Sequence, residues 1–246
     1  MSRSRLDPVE TPGAAIPSLF RQGIVLPAAA TRMRPPRLWV PEGYEGNYPY
    51  PLLMWLHDDG QSDAVLDDVM PRLSDRNFIG AAVRAEFFAN GQDDRDGFRW
   101  SSDAADRSDF VGRTHAAACE VRRCYHVHSE RAFLVGIGRG AAVAAEVFTE
   151  HPEWFGGLIA IDPPAELAAG TLPARSLEET RVLVAREGVA GMPAVARLAE
   201  TARPFSDAGA DVDIEITATA HHTGTPSDAL LRKINAWVVA GLYAPV

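Results

Sequence analysis

Cysteine is almost missing from this chain: there are two, Cys119 and Cys124, in 246 residues. They stand five apart on a predicted helix, a spacing at which side chains do not face one another, so no disulfide is expected between them. Two reduced thiols fit a cytoplasmic protein. No apolar run approaches the roughly 20 residues that cross a bilayer, so no membrane span is expected. The first twenty residues carry arginines but no continuous apolar stretch, and no secretory signal is read there. Positive charge is in short supply. Twenty-four Lys and Arg against 33 Asp and Glu leave a net charge of −9, which argues against a nucleic-acid partner and an anionic membrane surface. No group of His, Cys and Asp has zinc spacing. The aspartates at 93, 94, 96, 103, 106 and 109 lack the D-x-D-x-D-G order and closing glutamate of a calcium loop. No metal and no cofactor are expected. Internal repeats and low-complexity tracts are absent as well.

What is present is an ordinary globular balance, 46% hydrophobic and 23% charged, in a length that suits one α/β domain with a large core. Residues 1–20, polar and punctuated by proline, read as an N-terminal arm; residues 21–246 read as the single domain. The organising stretch is AFLVGIGRGAAVAAEVFTEHPEWFGGLIAID, Ala132 to Asp162. It reads as a strand (Ala132 to Val135), a glycine-rich turn, a helix (about Gly140 to Glu150) and a second strand (Gly157 to Ile161). This is a βαβ unit, and it makes the sheet parallel here. The turn Gly136-Ile137-Gly138-Arg139-Gly140 has the frame of a nucleophile elbow, G-x-S-x-G, in which a serine rides on a sharp strand-to-helix turn. Here the middle residue is Gly138.

Around this unit the chain alternates. Arg21–Ala28 and Arg37–Val40 read as short leading strands, and the run LLMWL (Leu52–Leu56) as a strand covered on both faces. Ser62 has the form of an N-cap for a helix through Val65 and Val69. Phe78–Val83 is the next strand, and Glu86–Asp109 is read as a long polar loop anchored by Trp100. Phe110, Val111, Thr114, Ala117, Ala118, Val121 and Tyr125 recur with helical spacing. Val182–Ala185 and Val212–Ala218 are further strands. A helix from about Ala194 to Ala208 carries Pro204, which is expected to kink it or end it early, and Thr225-Pro226 is expected to open a last helix reaching about Ala240. The histidines His115, His126 and His128 are expected at the surface, and His57 is expected to order its own loop.

This order of elements resembles the α/β-hydrolase fold, and within it the phospholipase/carboxylesterase and polyhydroxybutyrate-depolymerase-like serine esterases. YPLLMWLHDDG carries the likeness to an apolar strand followed by His-Gly, and the stretch from Arg131 to Asp162 carries the strand, elbow, helix and next strand. The resemblance implies a mostly parallel central sheet with helices on both faces, antiparallel N-terminal strands and no large lid. It also implies where a serine esterase would keep its site. The nucleophile position falls on Gly138, and the base position on His222 or His221. The acid position falls near Val189, with Glu187 the nearest carboxylate. The oxyanion-hole positions are Asp58, where the family has glycine, and Arg139. A carboxylate at Asp58 would oppose a developing oxyanion.

The expectation is therefore an esterase homologue that is catalytically inactive and acts by binding, interaction or structure. Its partners would be a protein, a second copy of itself, or a small apolar ligand near Gly138. Two other readings stay open. Asp162, at the strand end beside the elbow, with His222 could activate water on an ester without a serine. Alternatively, Gly136, Gly138 and Ala141 form G-x-G-x-x-A between a strand and a helix, with Asp162 about twenty residues on, as in a dinucleotide site.

Overall fold

The computed structural model describes residues 34–91, 97–165, 167, 176–188, 191–218 and 224–240. The chain divides into Met1–Arg34 and Pro35–Val246, and every described strand and helix belongs to the second unit. The expected strand at Arg21–Ala28 lies outside the described residues.

Seven strands form one sheet in the order β1-β3-β2-β6-β7-β8-β9. They are β1 (Arg37–Trp39), β2 (Tyr50–Leu56), β3 (Ile79–Val83), β6 (Val127–Ile137), β7 (Gly157–Ile161), β8 (Arg181–Glu187) and β9 (Asp211–Thr217). β1 runs antiparallel to β3, and the other neighbours are parallel. The short pair β4 (Phe87–Phe88) and β5 (Phe98–Arg99) forms a separate ribbon. Among the described residues the helices include α1 (Val65–Leu73), α2 (Ala104–Cys124), α3 (Arg139–Glu150), α4 (Met192–Asp207) and α5 (Asp228–Ala240).

The two-residue period of the strands sorts their side chains into two cores. Leu52, Met54, Leu56, Leu134, Leu158, Val182 and Val184 pack on the face covered by α2, α3 and α4. Leu53, Trp55, Phe133, Val135, Ile159, Ile161 and Leu183 pack on the face covered by α1 and α5. β2 is buried at every position, which is why its sequence is a continuous apolar run rather than an alternating one. Truncating a fully buried leucine such as Leu134 to alanine should cost about 2–5 kcal/mol.

Several boundaries differ from the sequence reading, each for a local reason. α1 starts at Val65, because Ser62 first closes a turn: its hydroxyl accepts the Ala64 N–H at 3.2 Å and its carbonyl the Val65 N–H. α4 runs three residues past Pro204. Pro204 lies in the last turn, where one missing donor breaks little of the ladder, and fully buried Phe205 pins that end to the sheet. α5 starts at Asp228, and its capping hydroxyl is Ser227, which accepts the Leu230 N–H at 3.3 Å; Thr225 lies two residues too early. The stretch Glu86–Asp109 is not one loop. Phe88 and Phe98 pair across the β4–β5 ribbon with ring centroids 5.4 Å apart and planes tilted by 42°, and α2 begins at Ala104, inside this stretch. Asp93, Asp94 and Asp96 lie outside the described residues. Cys119 and Cys124 are free thiols.

Candidate active site at the elbow

The strand order reverses between β2 and β6: chain before β6 fills the sheet towards β1, and chain after it fills the sheet towards β9. In a parallel sheet this reversal opens a crevice at the carboxyl ends of the two strands, the usual position of a ligand site. Two segments meet there, the loop after β2 (His57 to Gln61) and the turn from β6 into α3.

The turn has the backbone of an elbow. Gly138 sits at φ 54° and ψ −120°, its N–H bonds the Ile161 carbonyl at 2.9 Å, and its carbonyl accepts the Ala141 N–H at 3.0 Å. For a residue with a side chain this conformation stores about 1–3 kcal/mol of strain. Glycine holds it at little steric cost. The turn is also tight against its helix, since a Cβ on Gly136 would fall 2.4 Å from the Ala141 Cα.

The loop after β2 is held from several sides. His57 is fully buried. Its Nε2 accepts the Ala85 N–H at 3.0 Å, so the proton lies on Nδ1, which donates to the Asp58 carbonyl at 2.7 Å. Burial holds the His57 pKa below its ordinary value, against the opposing pull of the Asp58 hydrogen bond. Trp100 donates its indole N–H to the His57 carbonyl at 2.7 Å and its main-chain N–H to Asp59 Oδ1 at 3.0 Å. The Asp58 N–H bonds Gln61 Oε1 at 2.9 Å, and Gln61 Nε2 in turn bonds the Gly224 carbonyl at 2.7 Å.

This scaffold aims the Asp58 side chain at the elbow. Its Oδ1 accepts the main-chain N–H of Arg139 at 2.7 Å and that of Asp59 at 2.8 Å. A Cβ built on Gly138 would lie 2.2 Å from the Asp58 Cγ and Oδ1. The carboxylate thus occupies the space of a residue-138 side chain. It also takes the N–H that follows the elbow, the one a serine hydrolase aims at a developing oxyanion. The sequence reading placed a repelling charge at Asp58; the geometry adds that the charge is seated on the main-chain donors themselves. The same seat is the first N–H of α3, where a pyrophosphate would have to bind in the dinucleotide reading.

Asp162, at the end of β7, is half-buried. Its backbone is strained at φ 47°, its N–H bonds the Ala185 carbonyl at 2.9 Å and its Oδ1 accepts the Glu187 N–H at 3.0 Å. Glu187 serves the fold. Its carboxylate accepts the Ser227 main-chain N–H and hydroxyl, and the Thr217 hydroxyl at 3.2 Å, tying β8 to β9 and to the start of α5. Val189, His221 and His222 lie outside the described residues. Among the described residues no group of three or more His, Cys, Asp and Glu is placed to hold a metal ion, and no helix is long and apolar enough to cross a membrane.

The likeness to solved structures follows from this geometry. The carboxylesterase of Bacillus cereus superposes with a TM-score of 0.60 over 83% of this chain and 94% of its own, at 16% identity. A carboxylesterase from Mesorhizobium loti gives 0.55 over 76% and 88%, at 20% identity. A dienelactone hydrolase from Anabaena variabilis gives 0.60 over 82% and 89%, at 16% identity. The chain has the α/β-hydrolase fold. At these identities the likeness carries the fold alone. No protein-family profile matches the chain, and no curated protein does.

Proposed function

We propose that this chain is an α/β-hydrolase-fold protein in which the serine-ester reaction is extinguished, leaving a binding, interaction or structural role. One observation carries the reading: the Asp58 carboxylate fills the side-chain space of Gly138 and takes the Arg139 N–H. The nucleophile and an oxyanion donor are lost to the same group. Triad members act as a unit, so loss of the nucleophile alone removes most of the rate.

Incubation with a fluorophosphonate probe and with short-chain p-nitrophenyl esters tests this on the wild type beside His222→Ala. The expected result is neither labelling nor His222-dependent turnover. Labelling, or turnover lost in His222→Ala, would overturn it. The strained backbone of Asp162 favours one second reading, because such strain clusters at functional sites: a serine-free pair of Asp162 and His222 that activates water. It would appear as turnover without labelling, lost in both His222→Ala and Asp162→Asn.

A further inference from the structure

A cavity of about 270 Å³ opens at the carboxyl ends of β7 and β8, lined by Asp162, Pro163, Pro164 and Ala165 on one side and by Arg186, Arg197, Leu198, Glu200 and Thr201 on the other. It begins one residue beyond Ile161, whose carbonyl receives the Gly138 N–H, so it lies beside the elbow. Arg186 follows the parity of Val182 and Val184 and falls on the sheet face that α4 covers. Arg197 and Thr201 lie one turn apart on α4, flanking buried Leu198.

The two guanidinium groups are the unusual feature. Arg84, by contrast, has its acid, with Asp63 at 2.6 Å. Among the described residues Arg186 and Arg197 form no such ion pair. Arg197 is exposed on α4, and its Nε donates to the Pro193 carbonyl at 3.3 Å. Two acids share the cavity: Asp162, whose Oδ1 accepts the Glu187 N–H at 3.0 Å, and Glu200, exposed at its rim. Pro163, Pro164 and Ala165 supply an apolar wall on one side, and Leu198 lies beside Arg197 on the other. A planar carboxylate accepts two parallel N–H bonds from a guanidinium, and the volume suits a small organic acid with an apolar body.

We infer that this cavity binds a small aliphatic carboxylate, held by Arg186 and Arg197 with its carbon chain against Pro163, Pro164 and Leu198. Such a ligand deepens the proposed binding role, and its assignment rests on that reading. It differs from the sequence expectation of an apolar ligand at Gly138, because the charged pair, not the elbow, selects the ligand. An aliphatic carboxylate is the acid half that ester cleavage releases, so a reaction that hydrolyses an ester or thioester would supply it.

The test is a ¹H–¹⁵N correlation titration of the full chain with sodium butyrate, with butyramide and sodium chloride as neutral and ionic-strength controls. Butyrate should give saturable shifts confined to residues 162–165 and 186–201, and butyramide none. Arg186→Met and Arg197→Met keep the aliphatic stems and should each weaken butyrate binding at least about tenfold, and Arg197→Lys less than Arg197→Met. Spectra of the free variants establish that they are folded. Shifts reproduced by chloride, equal shifts with butyramide, no saturation by about 10 mM butyrate, or full binding by both folded Met variants would each overturn the proposal. Ester turnover is read separately. An active esterase that fails to bind butyrate sinks both readings, and an inactive protein that fails to bind it sinks only this one.

Discussion

Replacing Gly138 by alanine is the most direct probe of the elbow, and its size follows from two separable terms. The backbone at φ 54° costs a residue with a side chain about 1–3 kcal/mol. The new Cβ would also land 2.2 Å from the Asp58 carboxylate, which must swing away and give up the Arg139 N–H. A hydrogen bond to a charged group is worth about 1.5–3 kcal/mol, so Gly138→Ala should lose about 2.5–6 kcal/mol in all. In an Asp58→Ala background the carboxylate is already gone, and only the backbone term of about 1–3 kcal/mol should remain. Urea denaturation of wild type, both single variants and the double variant closes the cycle, provided the slopes agree. The expected coupling is about 1.5–3 kcal/mol, with the double variant more stable than the sum of the singles. Additivity within about 0.5 kcal/mol would refute the reasoning, because two groups competing for one space cannot be independent.

Other consequences can be checked one at a time. Gly138→Ser should be destabilised by at least the backbone term, about 1–3 kcal/mol, and should not gain fluorophosphonate labelling while Asp58 is present. Glu187→Gln weakens the acceptor that holds Ser227 and Thr217 and should lower stability by about 1–3 kcal/mol, read as a shift in the urea midpoint. His57 has a depressed pKa in the fold, so the unfolded chain binds more protons just below pH 6.5. Its contribution to stability is therefore present above the unfolded pKa and lost as pH falls through that window, and ¹⁵N spectra should show the Nδ1–H tautomer at neutral pH. Glu86 has the opposite sign. Partial burial, and next Asp109, push its carboxyl up to about 6, so the folded chain holds the proton more tightly and stability falls as pH rises from about 4.5 to 6. The loss is below about 2 kcal/mol after solvent screening, and Glu86→Gln should remove it from the pH profile of the urea midpoint.

The frame of the site was legible because it rests on local rules. The apolar run at Leu52–Leu56, the glycines of the turn and the 3.6-residue spacing of α2 each constrain a few neighbouring residues. They placed the central strands and the elbow within a few residues of where they lie. The identity of Gly138 was legible too. The occupant of its space was not, because Asp58 stands far earlier in the chain and reaches the turn only once β2 and β6 are neighbours in the sheet. Its aim depends on a side-chain direction fixed by Gln61, Trp100 and His57 together. Ser227 was missed as the cap because Thr225-Pro226 carries the stronger local signal, while the choice is made by Glu187 from another strand. Arg186 and Arg197 gave no signal at all. They share one cavity only once β8 and α4 are brought together beside Asp162.

The seating of Asp58 also orders the routes by which mutation could turn this chain into a serine enzyme. Serine first meets a carboxylate in its own space, an intermediate both strained and mute. Removing Asp58 first empties the cradle and leaves two main-chain donors facing the crevice, with glycine still tolerant of the turn. The first route passes through the less stable intermediate, so the two substitutions are not interchangeable in time. A single hydrogen-bonded carboxylate makes the direct Gly138→Ser change, one substitution long, the more strained of the two first steps.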